Sequence, residues 1–446
     1  MSLPRPLLRA LVCLAACAAA TTAATTAATA ADFALRDGDR VVFLGDSITE
    51  QRLYTTYIEA YALTRHPDWK LSFRNVGWGG DTSWLRQRAR PDEGRLFAAD
   101  GADLDGMVEK SVGKGLGRDV LPLKPTFVTV KFGMNDHAYQ AFRPDIFRAY
   151  ARSQTEIAKV LAASDARVTF LTPQPIEDRR PDPDKDTRNQ SLRRFSDGLK
   201  DVASKTGSGY VDQFGPYLER MLAARTANPE ALIGGGDAVH PGPPGQTLMA
   251  WIVLKGLGAS AAVSSAEIQA NTRSAKTRGC TVENLTFFDG GVSFDRLDTA
   301  LPMPIDSRAE SALKLAPILD ELSRYSLQVV GLPEGAYQIA VDGETCAKAT
   351  AGELAQGINL SIQAGPITQQ ARDLLGLVFQ KNNRYFERWR SVQLYAPPGW
   401  VAGPELEARR ETELKRLDAE IAADEARIDA LRTPRKHRFE IKRIPA

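Results

Sequence analysis

Apolar and polar positions between residues 40 and 258 follow two alternating periods, which predicts strands that are each followed by a helix. The run Val41-Val42-Phe43-Leu44 is continuously apolar, as in a strand that is buried on both faces of a parallel sheet. Further strands are predicted over 70–76, 125–132, 167–173 and 209–212. Helices are predicted over about 47–63, 143–163, 189–203 and 246–258. Strands that alternate with helices in this way predict a doubly wound α/β sheet of about five parallel strands.

After residue 258 the pattern changes to short paired strands and then to long helices. The predicted strand pairs are 281–288 with 292–297, around Asp289-Gly290-Gly291, and 326–330 with 336–341, around Pro333-Glu334-Gly335. We expect both pairs to be hairpins of a small β-rich module over 261–365. Two helices, over about 366–389 and 405–432, are expected to dominate a helical region over 366–446. Fewer than four clean heptads in the second helix favour docking on the same chain; dimerisation is the alternative, and the oligomeric state stays open.

Residues 1–31 have the pattern of an export signal. Arg5 and Arg9 precede an apolar stretch, and Ala28-Thr29-Ala30-Ala31 offers small residues for cleavage. As an alternative, Leu14-Ala15-Ala16-Cys17 resembles a bacterial lipobox, which would place a lipid anchor on Cys17 and leave an Ala/Thr-rich tether. We expect an exported protein, periplasmic or secreted, with a lipid-anchored envelope protein as the alternative.

Composition narrows the classes of function. The chain has 446 residues, of which 43 % are hydrophobic, so it can form more than one domain, and we expect a catalytic domain over 32–260. A formal net charge of +2 gives no basic field that would favour a nucleic-acid partner. Phosphate-binding glycine motifs and zinc-type Cys/His spacings are absent, so we expect no cofactor and no metal. Removal of the signal would leave Cys280 and Cys346, either as a disulfide or as two unpaired thiols.

Four short motifs carry the candidate chemistry. They are Gly45-Asp46-Ser47, Asn75-Val76-Gly77-Trp78-Gly79-Gly80, Gly133-Met134-Asn135-Asp136 and Asp237-Ala238-Val239-His240. The first three follow predicted strands, and the carboxyl ends of parallel strands face the ligand crevice of such a sheet. Each motif alone has an ordinary structural explanation, as a helix cap or a turn. Their occurrence together, in this order, predicts one site.

The residue types in these motifs fit the hydrolysis of an ester by a serine nucleophile. Ser47 is placed at the first turn of a helix, where backbone N–H groups are unpaired. Asp237 and His240 are three residues apart, so the carboxylate can orient the imidazole that takes the serine proton. The N–H groups of Ser47 and Gly80 and the side-chain amide of Asn135 are candidate donors to the oxyanion.

The choice of the base is narrow because the chain has only four histidines. His66 precedes a proline at a predicted helix end, and His437 lies in a basic tail. His137 directly follows the third motif and is the reserve candidate. His240 alone has a carboxylate three residues earlier in a glycine-rich loop, which favours it as the base.

The four motifs resemble the sequence blocks of the SGNH (GDSL) hydrolase superfamily, esterase type. Carried over by position, the resemblance implies Ser47, Gly80, Asn135 and His240 as its named residues, with Asp237 as the third member of the triad. It also implies a flavodoxin-like three-layer α/β/α fold and the hydrolysis of carboxylic esters without a metal. The chain departs from the pattern over about 97–117, which we interpret as a glycine-rich insertion near the site.

We expect a small-molecule or polysaccharide ester as substrate. The expected export favours an ester-decorated polysaccharide, and we therefore predict the removal of O-acetyl groups from carbohydrate. Trp78 and Trp84 flank the glycine loop, where they would stack on sugar rings or pack in the core. Asp46 is a further candidate for contact with the substrate. The alternatives are a lipid hydrolase, namely a lysophospholipase, arylesterase or thioesterase, and a non-catalytic, glycan-binding scaffold of the cell envelope.

Overall fold

The structure, a computed structural model, describes residues 33–445. The predicted export signal, including Cys17, lies outside the described residues. No helix within 33–445 combines the length and the apolar character that a membrane span requires.

A five-stranded parallel sheet organises the N-terminal half. Its strands are β1 (Arg40–Gly45), β2 (Ser72–Asn75), β3 (Phe127–Lys131), β4 (Arg167–Leu171) and β5 (Gly209–Val211). Their order is β2-β1-β3-β4-β5, which confirms the predicted flavodoxin-like α/β class. Because the strand order reverses between β1 and β3, the crevice outside their carboxyl ends is the expected place for a ligand.

Helices cover both faces of this sheet, and two long helices follow in the C-terminal half. They are α1 (Ser47–Glu50), α2 (Leu53–Arg65), α3 (Arg86–Ala89), α4 (Glu93–Ala98), α5 (Gly101–Asp119), α6 (Pro144–Ala162), α7 (Thr187–Thr206), α8 (Phe214–Ala227), α9 (Pro243–Gly256), α10 (Ile318–Leu322), α11 (Ala351–Gln356), α12 (Pro366–Phe386) and α13 (Pro404–Arg432). A π-helix (Glu387–Gln393) continues α12, and short 3₁₀ turns lie at Leu121–Leu123, Ser307–Lys314 and Leu360–Ile362.

The interpretation of residues 97–117 as an insertion near the site is wrong. Helix α5 covers most of this segment, and its apolar residues are buried in the core that includes strand β3. These residues recur every four positions: Leu104, Val108, Val112 and Leu116. The glycines that suggested an insertion lie mostly where an added side chain would meet open space, as at Gly106, Gly113 and Gly117. The helical spacing of the apolar residues therefore outweighs the glycine content.

Two further sheets form the β-rich part. Their strands are β6 (Ala262–Gln269), β7 (Ser274–Arg278), β8 (Cys280–Phe288), β9 (Gly291–Asp298), β10 (Arg324–Val330), β11 (Ala336–Val341), β12 (Glu344–Thr350), β13 (Ile358–Asn359) and β14 (Lys436–Arg443). One sheet has the order β13-β10-β6-β7, and the other has the order β12-β11-β14-β9-β8. The predicted hairpin of β8 and β9 is present.

The second predicted hairpin is wrong, because β10 and β11 belong to different sheets. Strand β10 pairs in parallel with β6, whereas β11 pairs with β12 and β14. Strand β14 comes from the end of the predicted helical region and lies between β11 and β9. Its basic residues suggested a tail, but His437, Phe439 and Ile441 are buried at every second position, as in a strand.

Cys280 and Cys346 are free thiols. They lie on β8 and β12, which are the opposite edges of the five-stranded sheet. Four strand spacings of about 4.8 Å separate such edges by roughly 19 Å, far beyond the reach of a disulfide.

The docking on the same chain that was predicted for the second long helix, α13, is present in the structure, because α13 packs on α12. A buried ion pair fastens α12 in turn to the catalytic domain. Helix α12 packs on α13 and on α2. The Lys381 ammonium of α12 donates to the carboxylate of Glu59 on α2, and both side chains are buried. Asn382 donates to the other oxygen of Glu59 at 2.9 Å. Asp424, which interrupts the apolar seam of α13, is likewise buried and pairs with Arg384.

We expect Lys381→Met to lower the free energy of unfolding by about 3–5 kcal/mol, because it leaves the Glu59 carboxylate buried without its cation. Denaturant unfolding at pH 7 measures the loss. The double variant Lys381→Met/Glu59→Gln should recover much of it, since glutamine keeps an acceptor for Asn382 without the charge. The matched control is Lys415→Met, whose exposed pair with Glu411 should change stability by less than about 1 kcal/mol. Equal losses in the two single variants would contradict this account of docking.

Candidate active site

Ser47 is the first residue of α1, directly after β1. Asp46 caps this helix, since its Oδ1 accepts a hydrogen bond from the Ile48 N–H at 3.0 Å. Gly45 is required where β1 ends, because an added Cβ would lie 2.8 Å from the carbonyl oxygen of Lys131 on β3. The serine hydroxyl is thus held at a helix N-terminus, beside the point where the strand order reverses.

The structure brings Ser47, His240 and Asp237 together. Ser47 Oγ lies 2.8 Å from His240 Nε2. On the other side of the ring, His240 Nδ1 lies 3.0 Å from Asp237 Oδ2. Partial burial opposes ionisation of Asp237, but backbone N–H donors and the imidazole outweigh it, so the pKa of this carboxyl is lowered. The side chains of His240 and Asp237 are 35 % and 66 % exposed, so the group opens directly to solvent.

A buried carboxylate that the sequence analysis missed supports the loop with Asp237 and His240. Glu177 follows β4, and its two oxygens accept from the N–H groups of Ile233 and Gly234, each at 2.7 Å. Its own N–H donates to Ala238 at 2.9 Å. Burial raises the pKa of Glu177 in spite of these donors. Its position in the segment between β4 and α7 was the only sequence signal for a role at this edge of the sheet.

A second missed support runs from β3 to the same loop. Lys131 is fully buried, and its Nζ donates to Gln174 Oε1 at 2.9 Å. Gln174 Nε2 donates to the Val239 carbonyl oxygen, also at 2.9 Å, next to His240. Burial lowers the pKa of Lys131 to about 8, and the nearby Asp46 carboxylate opposes this shift. The arrangement links the end of β3 to the residue before the imidazole.

The glycine loop forms a tight turn beside the serine. The Asp81 N–H donates to the Trp78 carbonyl oxygen at 3.0 Å, and Gly80, the third residue of this turn, has a φ of +72° that favours glycine. Asn135 Nδ2 donates to the Asp81 carbonyl oxygen at 2.9 Å, and Tyr139 donates to Asn135 Oδ1 at 3.1 Å. These bonds fix the orientation of the amide and leave its second N–H for another acceptor.

Asp136 ties the loop after β3 to the glycine loop. Its Oδ1 accepts from the Ser83 N–H at 2.8 Å, and its Oδ2 accepts from the Gly133 N–H at 2.9 Å. Burial raises the pKa of Asp136 to about 7 against these donors. The two adjacent residues therefore have different roles: Asn135 contacts the glycine turn, and Asp136 connects two loops.

The structure favours core packing over sugar stacking for Trp84. This side chain is 1 % exposed, its Nε1 donates to Glu93 at 2.7 Å, and its ring meets Phe97 edge-on. Trp78 is half-buried, and the guanidinium of Arg390 lies over its ring. Asp46, the other predicted substrate contact, is also 1 % exposed and acts as the helix cap.

The other three histidines contact partners away from Ser47. His66 stacks on Phe33 and Trp69. His437 Nδ1 lies 2.7 Å from Asp342 Oδ2. The reserve candidate, His137, is buried with its Nδ1 at 3.1 Å from the Gly133 carbonyl oxygen, and burial lowers its pKa to about 4. Within residues 33–445, no group of three or more His, Cys, Asp or Glu side chains could hold a metal ion.

Solved structures resemble the chain to different degrees. A gut microbial diltiazem-metabolizing enzyme shares 24 % identity over 92 % of this chain and 98 % of its own, with a TM-score of 0.75. This likeness shows the fold and extends over the C-terminal half. An acetylxylan esterase from Geobacillus stearothermophilus shares 19 % identity over 50 % of this chain and 95 % of its own, with a TM-score of 0.38. No curated protein matches the chain.

The sequence of residues 43–248 matches the model of the GDSL-like lipase/acylhydrolase family. The matched range includes all four motifs, the end of β1 and the whole of β3. Residues 43–248 are therefore a GDSL-like lipase/acylhydrolase domain, which makes the protein a carboxylic ester hydrolase of the SGNH type.

Proposed function

We propose that Ser47, His240 and Asp237 form the catalytic triad of this esterase. The hydrogen bond of 2.8 Å between Ser47 Oγ and His240 Nε2 carries the proposal. It is within the range at which an imidazole can take the proton of an attacking hydroxyl. The bond from His240 Nδ1 to Asp237 supports it further, because a carboxylate there holds the ring in the tautomer that presents Nε2 as an acceptor.

The reaction follows from this geometry. Ser47 Oγ attacks the ester carbonyl carbon while His240 takes the hydroxyl proton. The negative charge that develops on the carbonyl oxygen is stabilised by the N–H groups of Ser47 and Gly80 and by the free N–H of Asn135. His240 then gives its proton to the leaving alcohol. A water molecule, deprotonated by His240, attacks the acyl-enzyme and releases the acid and Ser47.

The proposed substrates are O-acetylated carbohydrates outside the cytoplasm. Support comes from the exposure of His240 and Asp237, because a large polar alcohol can remain in water while its small acyl group reaches Ser47. Tyr139, whose hydroxyl contacts Asn135, is 40 % exposed and offers an aromatic surface with a polar group beside the site. The export pattern of residues 1–31 supports the location.

We expect Ser47→Ala to lower kcat for 4-nitrophenyl acetate by at least about 10³-fold, because no other hydroxyl can form the acyl-enzyme. Initial rates of the purified variants, corrected for spontaneous hydrolysis, measure the effect. The matched control is Ser164→Ala, which removes an exposed hydroxyl that follows α6 and should leave the rate unchanged. Turnover at the wild-type rate by Ser47→Ala would rule out the proposed triad. It would favour the alternative that the protein is a glycan-binding scaffold whose esterase activity is adventitious.

A substrate panel tests the proposed class. We expect acetate release from acetylated xylo-oligosaccharides with a kcat/KM at least about tenfold above that of fatty-acid release from lysophosphatidylcholine, a difference of about 1.4 kcal/mol in transition-state binding. Quantification of free acetate and free fatty acid under the same conditions provides the comparison. Higher kcat/KM on the lysophospholipid would overturn the carbohydrate proposal in favour of the lipid alternative, while leaving the triad in place.

A further inference from the structure

The turn that carries Gly80 depends on Glu50 and on Trp78, whose side chains are contacted by residues outside the turn. Gly79, the second residue of the turn, packs closely against α1, because an added Cβ would lie 2.7 Å from Glu50 Oε2 and 4.0 Å from the Cβ of Ser47. Trp78 opens the turn, and its carbonyl oxygen accepts the hydrogen bond that closes it. Glu50, through its carboxylate, and Trp78, as the residue that opens the turn, therefore define where the Gly79–Gly80 peptide can lie.

The π-helix of the C-terminal half reaches both of these side chains. The guanidinium carbon of Arg390 lies 3.7 Å from the centroid of the Trp78 ring, and its Nε lies 3.5 Å from Glu50 Oε1. The adjacent Trp389, which is buried, meets the Trp78 ring edge-on at 5.8 Å between centroids. Adjacent residues point in different directions in a regular α-helix, and π-helical segments frequently occur at functional sites. Here two adjacent residues, Trp389 and Arg390, contact the ring of the residue that opens the glycine turn.

The π-helix is itself held rigidly. It continues α12, which is fastened to α2 by the buried pair of Lys381 and Glu59. The end of α12 also contacts the residue that links α1 to α2. Arg52 Nε donates to Asn383 at 3.1 Å, and its guanidinium lies 4.0 Å from the ring centroid of Phe386. The C-terminal helices are thus connected both to the nucleophile helix and to the glycine turn.

We propose that Arg390 is a positioning residue that holds the oxyanion turn through Trp78 and Glu50, so that the C-terminal helices are part of the catalytic apparatus. The inference rests on the proposed roles of Ser47 and Gly80. A donor to an oxyanion accelerates the reaction only if it is already oriented before charge develops. Loss of this orientation weakens binding of the transition state more than binding of the ester, so it lowers kcat and leaves KM nearly unchanged.

Arg390→Met and Arg388→Met provide a matched comparison. Both arginines belong to the π-helix and are similarly exposed, at 25 % and 23 %, but Arg388 pairs with Asp418 of α13. With 4-nitrophenyl acetate, we expect Arg390→Met to lower kcat about 10- to 100-fold, below the loss caused by deleting a donor outright, with KM within about threefold. Arg388→Met should keep the wild-type kcat. Arg390→Lys should recover part of the loss, since an ammonium can still lie over the Trp78 ring.

A second readout separates positioning from general destabilisation. A trifluoromethyl ketone forms a tetrahedral oxyanion adduct with an active serine, so its Ki should rise in Arg390→Met by the same factor as KM/kcat rises. Should Arg390→Met not fold, Glu50→Gln, which removes only the charge that faces Arg390, should show a smaller shift of the same kind. Equal kcat in wild type and Arg390→Met, or equal losses in both arginine variants, would overturn the inference while Ser47→Ala stays inactive. Activity in Ser47→Ala would instead overturn the proposed function itself.

Discussion

A hydrogen bond between Ser47 Oγ and His240 Nε2 joins residues that are 193 positions apart, and the fold has to define both ends of it. The serine end is defined locally, by the close approach at Gly45 and the cap at Asp46. The histidine end lies on a loop. That loop is so tightly folded that an added Cβ at Gly236 would collide with the His240 carbonyl oxygen. The site therefore depends on a short helix after one strand and on a loop fastened from outside.

Buried polar groups do much of this fastening. Lys131 donates to Gln174, which in turn donates to the backbone of the His240 loop at Val239. The carboxylate oxygens of Glu177 accept hydrogen bonds directly from the backbone of the same loop. Burial of charged groups costs stability unless each finds partners, and an apolar side chain would fill the same volume more favourably. We therefore interpret the burial of Lys131 and Glu177 as a cost in folding stability that serves to hold the His240 imidazole against the Ser47 hydroxyl. Catalytic groups generally need such rigid support.

The sequence predicts the parts of the molecule that depend on local pattern. The alternation of strand and helix periods identifies the five parallel strands, and the order of the motifs identifies the residues around Ser47. Prediction fails where a pattern has two physical explanations. The glycines of α5 suggested an insertion, although the segment is a helix. The basic residues of β14 suggested a tail, although Phe439 and Ile441 are buried in a strand. It also fails for Glu177 and Arg390, because their contacts arise only when distant segments pack together.

The most direct measurement is a crystal structure of the protein after reaction with an aryl methylphosphonate ester, which mimics the tetrahedral intermediate. We expect phosphorus bonded to Ser47 Oγ, with the phosphonyl oxygen about 3 Å from the backbone nitrogens of Ser47 and Gly80 and from Asn135 Nδ2. His240 should lie between the adduct and Asp237. Phosphorus on another residue, or a phosphonyl oxygen that points away from Gly80 and Asn135, would contradict the account.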